Sequence, residues 1–224
     1  MFAPRGDNHR EGSNMSWSIT FWDRSAARYA KRPIADEEAY LRKLALTQEF
    51  LRPEMDVLEF GCGTASTAII HAPKVRSYLA TDASSNMIEI ARQRVAESEQ
   101  DISNLSLEVA TLDELQKRQQ RYDAILGLNI LHLLPDPDRA IRLVFQMLKP
   151  GGVFISNTAC LQTTRRYLKP VVVLARWLRL APDVTFLSRE ALEQSLNDAG
   201  FQIQHRWVPE HSPDVYFLIA ARPG

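Results

Sequence analysis

The stretch Val57-Leu58-Glu59-Phe60-Gly61-Cys62-Gly63-Thr64-Ala65-Ser66 decides the fold. A short buried-strand pattern runs into a glycine turn, and a helix-forming segment follows. Glycines let the backbone approach a ligand, and the start of a helix offers unpaired N–H groups. The next strand pattern ends at Thr81-Asp82, 21 residues after Gly61. A carboxylate at that distance is placed to accept hydrogen bonds from two ribose hydroxyls. Asp82 alone reads equally well as a helix N-cap, but the turn upstream favours ribose binding. The dinucleotide fingerprint wants glycine at positions 61, 63 and 66, and position 66 is Ser66. Glu59 also sets an anion beside the turn, which repels a pyrophosphate and suits a cationic ligand.

Outward from this stretch, short apolar runs alternate with helical patterns. Strands are expected at 57–60, 78–81, 106–109, 122–128, 152–157, 201–208 and 215–221. Helices are expected near 64–71, 84–98, 136–148 and 188–199. Such alternation implies an α/β fold with a doubly wound, mainly parallel sheet covered on both faces. The last two of the seven strands, joined across 209–214, read as an antiparallel hairpin. Upstream, 1–15 is polar and reads as a flexible tail, with Met15 as an alternative start. Residues 16–52 read as an N-terminal helical lid, with Pro33 separating two helices. Residues 53–224 form the main domain, with a basic and apolar insertion at about 163–182.

Bulk properties agree with one ordinary domain and an appendage. The 224 residues carry 27 Lys+Arg against 27 Asp+Glu, so the chain lacks the basic footprint of a dedicated nucleic-acid binder. Cys62 and Cys160 lie far apart and form no CxxC pair, which argues for a reducing, cytoplasmic setting. No apolar run approaches membrane-spanning length, and the N-terminus lacks the apolar core of a secretory signal.

Several ordered motifs together resemble the class I S-adenosylmethionine-dependent methyltransferases, a Rossmann-like fold. VLEFGCGTA at 57–65 looks like the first motif of that family, and ATDASSNMIEIARQR at 80–94 looks like the second. YDAILGLNILHLLPDPDRAIRLVFQMLKPGGVFISNT at 122–158 is similar to its fourth-strand and fifth-strand region. The resemblance implies S-adenosylmethionine as cofactor and assigns roles to particular residues. Glu59, Gly61, Cys62 and Gly63 would surround its methionine half. Asp82 would bind the ribose, and Ala83 or Met87 would pack on the adenine. Ala110, Thr111 and Leu112 would follow the adenine edge, and Asn129 would sit near the sulfonium. Tyr29 matches a tyrosine that closes over the cofactor in similar enzymes. Thr111 stands where the family often has Asp, with Asp113 as a substitute partner, and Ala65 replaces a third glycine.

Methyl transfer needs a base only when the acceptor must lose a proton. His132 is the best-placed candidate, although a structural histidine opening the next loop is the plainer reading. No pairing of His, Cys, Asp and Glu at metal-ligand spacing is visible, so no metal is expected. Trp22 in the lid and Arg165 and Tyr167 in the insertion are the candidate substrate contacts. Pro170 favours an amphipathic helix over about 170–180. Its apolar face is suited to capping the pocket, lining a hydrophobic or lipid-like small molecule, touching a membrane surface or forming a homodimer. The competing readings are a cofactor used without methylation, a nucleic-acid or protein methyltransferase, and a nicotinamide enzyme. Neutral charge and Asn129-Ile130-Leu131-His132 in place of Asn/Asp-Pro-Pro-Tyr/Phe speak against methylation of DNA bases.

Overall fold

The computed structural model describes residues 8–164, 167, 170 and 183–224. Among them, β1 (Asp56–Phe60), β2 (Ser77–Asp82), β3 (Leu105–Val109), β4 (Tyr122–Leu128), β5 (Leu148–Ala159), β6 (Gln202–Trp207) and β7 (Val215–Ala221) form one sheet. Its order is β3-β2-β1-β4-β5-β7-β6, with β1 to β5 parallel and β7 antiparallel to both neighbours. The expected doubly wound α/β architecture with its antiparallel end is therefore present. Chain direction across the sheet reverses between β1 and β4, and the carboxyl ends there are where open α/β sheets bind ligands.

The helices, in chain order, are α1 (Asn8–Ala30), α2 (Glu37–Phe50), α3 (Ser66–His71), α4 (Ser85–Ala96), α5 (Leu112–Lys117), α6 (Pro137–Met147), α7 (Leu161–Thr164) and α8 (Arg189–Asp198). Local sequence explains most of their starts. Asp36, Ser84, Asp136 and Ser188 each accept an N–H from the following first turn, and Pro137 occupies the position where a missing N–H costs nothing. Thr111 and Glu114 form a reciprocal capping box.

Two expectations need correction. The polar segment read as a tail is helical from Asn8 onward, because α1 is continuous to Ala30. No proline interrupts 8–30, and the single Gly12 costs a helix only about 1 kcal/mol. The region 112–117, read without a regular element, is α5. The expected insertion helix over 170–180, with Arg165, Arg166 and Lys169, lies outside the described residues.

Alternating side chains of the central strands build a core on each face. On one side Val57, Tyr78, Ala80, Leu126 and Ile155 meet Ala68 of α3 and Ile88 and Ala91 of α4. On the other, Leu58, Phe60, Ile125 and Phe154 meet Ile141, Val144 and Met147 of α6 and Leu192 and Leu196 of α8. At the amino ends of the strands, Asp56 accepts bonds from Arg76, Ser77 and Lys149, while Asp123 accepts the Asp56 N–H (2.8 Å) and a Lys149 bond (2.8 Å). That charged cluster ties four strands at the end away from the ligand edge.

His71 is fully buried, and neither ring nitrogen has a partner among the described residues. Burial pushes its pKa down to about 4. The folded chain therefore binds fewer protons than the unfolded chain between about pH 4 and 6.5, and stability falls as pH falls through that window. By this linkage His71 removes about 2 to 3 kcal/mol between pH 7 and pH 4.5. Urea unfolding of His71→Leu should show a correspondingly smaller acid-side loss than the parent chain. Equal losses in the two proteins would contradict a buried, neutral His71.

Candidate cofactor and acceptor site

The turn after β1 is folded back onto β2. The Cys62 N–H donates to the Thr81 carbonyl at 2.9 Å, and the Gly63 N–H donates to Asp82 Oδ2 at 2.9 Å. The other carboxylate oxygen, Oδ1, accepts the Ser84 N–H at 2.8 Å. One side chain thus holds both the glycine turn and the entrance to α4. Gly61 has φ +67°, and a Cβ there would lie 2.6 Å from Ile130 Cγ1. Only glycine meets both demands at that position. Ala65 occupies the left-handed region at φ 59° without a side-chain cap, in the place where a third glycine would be unstrained.

Above this turn lies a cavity of about 510 Å³, within the range of small-molecule sites. Its wall brings together most of the residues singled out from sequence: Trp22, Tyr29, Gly61, Gly63, Asp82 and Ala83. Met87, Ala110, Thr111, Leu112, Asn129 and His132 complete that set. Three described residues fall elsewhere. Glu59 is buried beside the turn and accepts the Tyr78 O–H at 2.7 Å, outside the cavity wall. Cys62 is a buried packing residue, and burial pushes its thiol well above the usual range. Tyr167 is 69% exposed and does not line the cavity, and Arg165 lies outside the described residues.

Burial is also the main force on the acidic groups. It lifts Glu59 to about 7 against the opposing Tyr78 hydrogen bond, with nearby Asp82 adding to the rise. The Asp82 carboxyl is raised by burial and by Asp23, and held down by the Ser84 and Gly63 N–H groups. A carboxylate has about four acceptor positions, so Asp82 keeps capacity for hydroxyl donors from a ligand.

Two of the residues along the expected adenine edge are held by hydrogen bonds of their own. The N–H and hydroxyl of Thr111 both donate to Glu114 Oε2 at 2.8 Å, closing the capping box. Asp113 is paired with Arg139 of α6, through a 2.8 Å bond and a second, shorter one. Arg139 and Asp113 together close that edge of the wall. Asn129 holds a left-handed backbone at φ 58° and accepts the Asn157 side-chain N–H at 2.6 Å.

His132 sits in a 3-10 turn, Leu131–Leu133, on the cavity wall. Its Nδ1 accepts the Ala159 N–H at 3.3 Å, and burial lowers its pKa to about 4. With Nδ1 accepting, the neutral ring carries its hydrogen on Nε2. The ring in this state offers a donor, whereas the sequence suggested a base.

Sequence reasoning missed Ser18, Ile19, Leu133, Leu134, Arg139 and Leu143, all on the wall. The stripe Ile19, Trp22, Ala26, Tyr29 repeats at helical spacing and was the available signal for the first of these. Arg139 carried no such signal, since only the tertiary pairing with Asp113 marks it.

The cradle fits S-adenosylmethionine: a glycine turn open to close approach, a half-buried carboxylate with acceptor capacity, and a wall with the apolar Met87 and Ala110. Among the described residues no group of His, Cys, Asp and Glu could hold a metal ion, and no helix is long and apolar enough to cross a membrane.

Comparison with known proteins agrees with this geometry. A family model described as a methyltransferase domain matches residues 27–206. A ubiquinone biosynthesis O-methyltransferase of Chelativorans sp. (strain BNC1) is 27% identical over 185 residues, covering 75% of this chain and 71% of that protein. A highly reducing polyketide synthase of Alternaria alternata is 30% identical over 139 residues, which is 57% of this chain and only 5% of the synthase. The chain therefore spans a small fraction of such synthases. Among solved structures, the N-methyltransferase NodS of Bradyrhizobium japonicum WM9, bound to S-adenosyl-L-homocysteine, shares the fold at a TM-score of 0.67 and 19% identity, covering 92% of this chain and 99% of that one. The putative methyltransferase complexed with the Trm112 activator of Haloferax volcanii matches at a TM-score of 0.68 and 16% identity over 91% of this chain and 98% of its own. The turn, the carboxylate below it and the matched family model agree, and the chain belongs to the methyltransferase-domain family as a class I S-adenosylmethionine-dependent methyltransferase.

Proposed function

We propose that this methyltransferase acts on a small, predominantly apolar acceptor that carries a reactive oxygen, held between α1 and the loop after β4. The observation that carries the reading is the composition of that part of the cavity. Ile19 and Trp22 come from α1, Leu133, Leu134 and Pro135 from the loop, and Leu143 from α6. Burial of such surface drives binding at roughly 25 cal/mol per Å². The name of the ubiquinone biosynthesis relative supports an oxygen acceptor. Asp82 would hold the cofactor ribose, Gly61 and Gly63 its amino-acid half, and Met87 with Ala110 its base. When bound, the cofactor supplies an electrophilic methyl group on a sulfonium centre. The positive charge is lost as the methyl departs, so the protein's task is alignment in a water-poor site.

His132 serves as an orienting donor. The acceptor would give up its O–H proton to water before transfer, and the His132 Nε2–H would hydrogen-bond to the resulting oxyanion, favouring that form and fixing the attacking lone pair. The low pKa of about 4 keeps the ring neutral through the physiological range, so this donor is present at all working pH values. The basic and apolar sequence of the insertion at about 163–182 keeps it a candidate for substrate contact. A substrate of this kind fits the suggested contact of that segment with a lipid surface.

Asp82→Ala removes the acceptor that holds the Gly63 and Ser84 N–H groups as well as the ribose partner. Loss of charge-assisted bonds of this kind should weaken S-adenosyl-L-homocysteine binding by roughly 100-fold or more, measured by calorimetric titration, with the circular dichroism spectrum retained. Unchanged affinity would remove Asp82 from the site.

For the acceptor, methyl transfer from labelled cofactor is expected to apolar phenols and quinols and not to small polar amines. On the best acceptor, His132→Ala should lower kcat by about 10- to 100-fold, the worth of one hydrogen bond to a charged group. His132→Gln, which keeps an N–H near the Nε2 position, should restore much of that loss. A base role is contradicted by recovery in the Gln variant, and a donor role by equal loss in both variants.

A further inference from the structure

Helix α1 roofs the cavity and is fastened to α4 by side-chain hydrogen bonds. Helix α1 contributes Ser18, Ile19, Trp22 and Tyr29 to the wall, and β2 with the start of α4 contributes Asp82, Ala83, Ser84 and Met87. A ligand touching both sets lies under α1. The connector to α2, residues 31–35, is exposed throughout, so it offers little packing to hold α1 down. Trp22 and Tyr29 pack edge to face at 5.9 Å and stiffen the roof from within.

Two polar clusters dock α1 onto α4 at separate points. Near the start of α4, Asp23 Oδ1 accepts the Ser84 O–H at 2.6 Å and the Asn86 N–H at 3.2 Å, while the Asn86 side-chain N–H donates to the Asp23 carbonyl at 3.1 Å. A carboxylate at the N-terminus of a helix is electrostatically favoured there. Near the end of α4, one guanidinium joins three segments. Arg94 Nη2 donates to the carbonyl of Ala30, the last residue of α1, at 2.7 Å. Arg94 Nη1 donates to Thr64 Oγ1 at 2.6 Å and to Ser66 Oγ at 2.7 Å. Thr64 belongs to the glycine turn, and Ser66 opens α3.

We propose that Arg94 is a positioning residue that couples docking of α1 to the shape of the glycine turn, with Asp23 as the second fastening of the same roof. The inference rests on the reading that this cavity takes S-adenosylmethionine. The side chain touches neither the cavity nor the reacting atoms and acts through Ala30, Thr64 and Ser66. Undocking α1 removes one of the three partners of Arg94 and frees the guanidinium from a fixed orientation. The turn then loses a fixed hydrogen bond at Thr64. Conversely, a ligand packed against Tyr29 and Gly63 holds both ends of the bridge in place, and a Cβ on Gly63 would lie only 3.6 Å from the Tyr29 ring. Ligand release and roof opening are thereby one event, and the bridge sets its rate.

The test uses S-adenosyl-L-homocysteine as probe and follows its dissociation by stopped-flow displacement, with hydrogen exchange of α1 amides in the bound protein. Arg94→Met keeps the stem and deletes the donors. It should speed dissociation by about 10- to 100-fold with a much smaller change in association rate. Exchange at Trp22–Ala30 should quicken while α6 and α8 stay protected. Arg94→Lys, with one charged donor left, should fall between the two. Asp23→Asn offers a second route, expected to accelerate release through the other fastening if Arg94→Met folds poorly. Binding to the unaltered chain with an unchanged dissociation rate in Arg94→Met and Asp23→Asn overturns the coupling alone. Failure of the unaltered chain to bind the probe overturns the cofactor reading on which it rests.

Discussion

The structure of the site depends on one carboxylate accepting two backbone N–H groups. Asp82 receives Gly63 from the first turn and Ser84 from the second, each within 2.9 Å. Neither turn has regular secondary structure to hold it, and both must present backbone to the same ligand. A single half-buried carboxylate satisfies donors that would otherwise be orphaned at the carboxyl edge of the sheet. The raised carboxyl of Asp82 records the electrostatic cost of that arrangement, with burial and the Asp23 charge opposing ionisation. A cationic ligand in the cavity would offset it. On the neighbouring strand β1, burial likewise lifts the Glu59 carboxyl, to about 7, so ionisation of both carboxyls beside the turn is opposed by burial.

The polar frame and the apolar pocket divide the work. The frame at β1 and β2, where the proposed cofactor site lies, is built almost wholly from backbone and one side chain. The acceptor side is side-chain surface drawn from α1, the turn at Leu131–Leu133 and α6. Ser18, His132, Asp136, Arg139 and Asp183 stand among its apolar side chains. His132 presents an N–H because Ala159 occupies its other nitrogen, and Arg139 is engaged with Asp113. That mixture of apolar surface and placed polar groups is the pattern that supports the proposed acceptor class.

The parts of the fold that were legible in the sequence are those set by short-range pattern. All seven strands and the turn at 61–65 follow from apolar runs, glycines and an acid at fixed spacing. Most of the site residues singled out from sequence lie on the cavity wall, although more than half of that wall was not singled out. What was not legible required contacts between distant segments. The pairing of Asp113 with Arg139 spans 26 residues, the Asp23–Ser84 bond 61, and the Arg94–Ala30 bond 64. No local pattern encodes such partners. The start of α1 was hidden for another reason, since 8–15 carries no apolar periodicity to betray a helix. By contrast, α5 did carry a signal: Thr111-Leu112-Asp113-Glu114 is a capping-box sequence.

The central claim is that the cofactor lies across the Asp82-anchored turns and under α1. Amide hydrogen exchange with and without S-adenosyl-L-homocysteine tests it most directly, because every proposed contact reports separately. Protection is expected at 61–66, at 82–87, at 110–112 and in α1 from Ile19 to Ala30. Protection of the turns without α1 would contradict the roof, and protection confined to other segments would contradict the site itself.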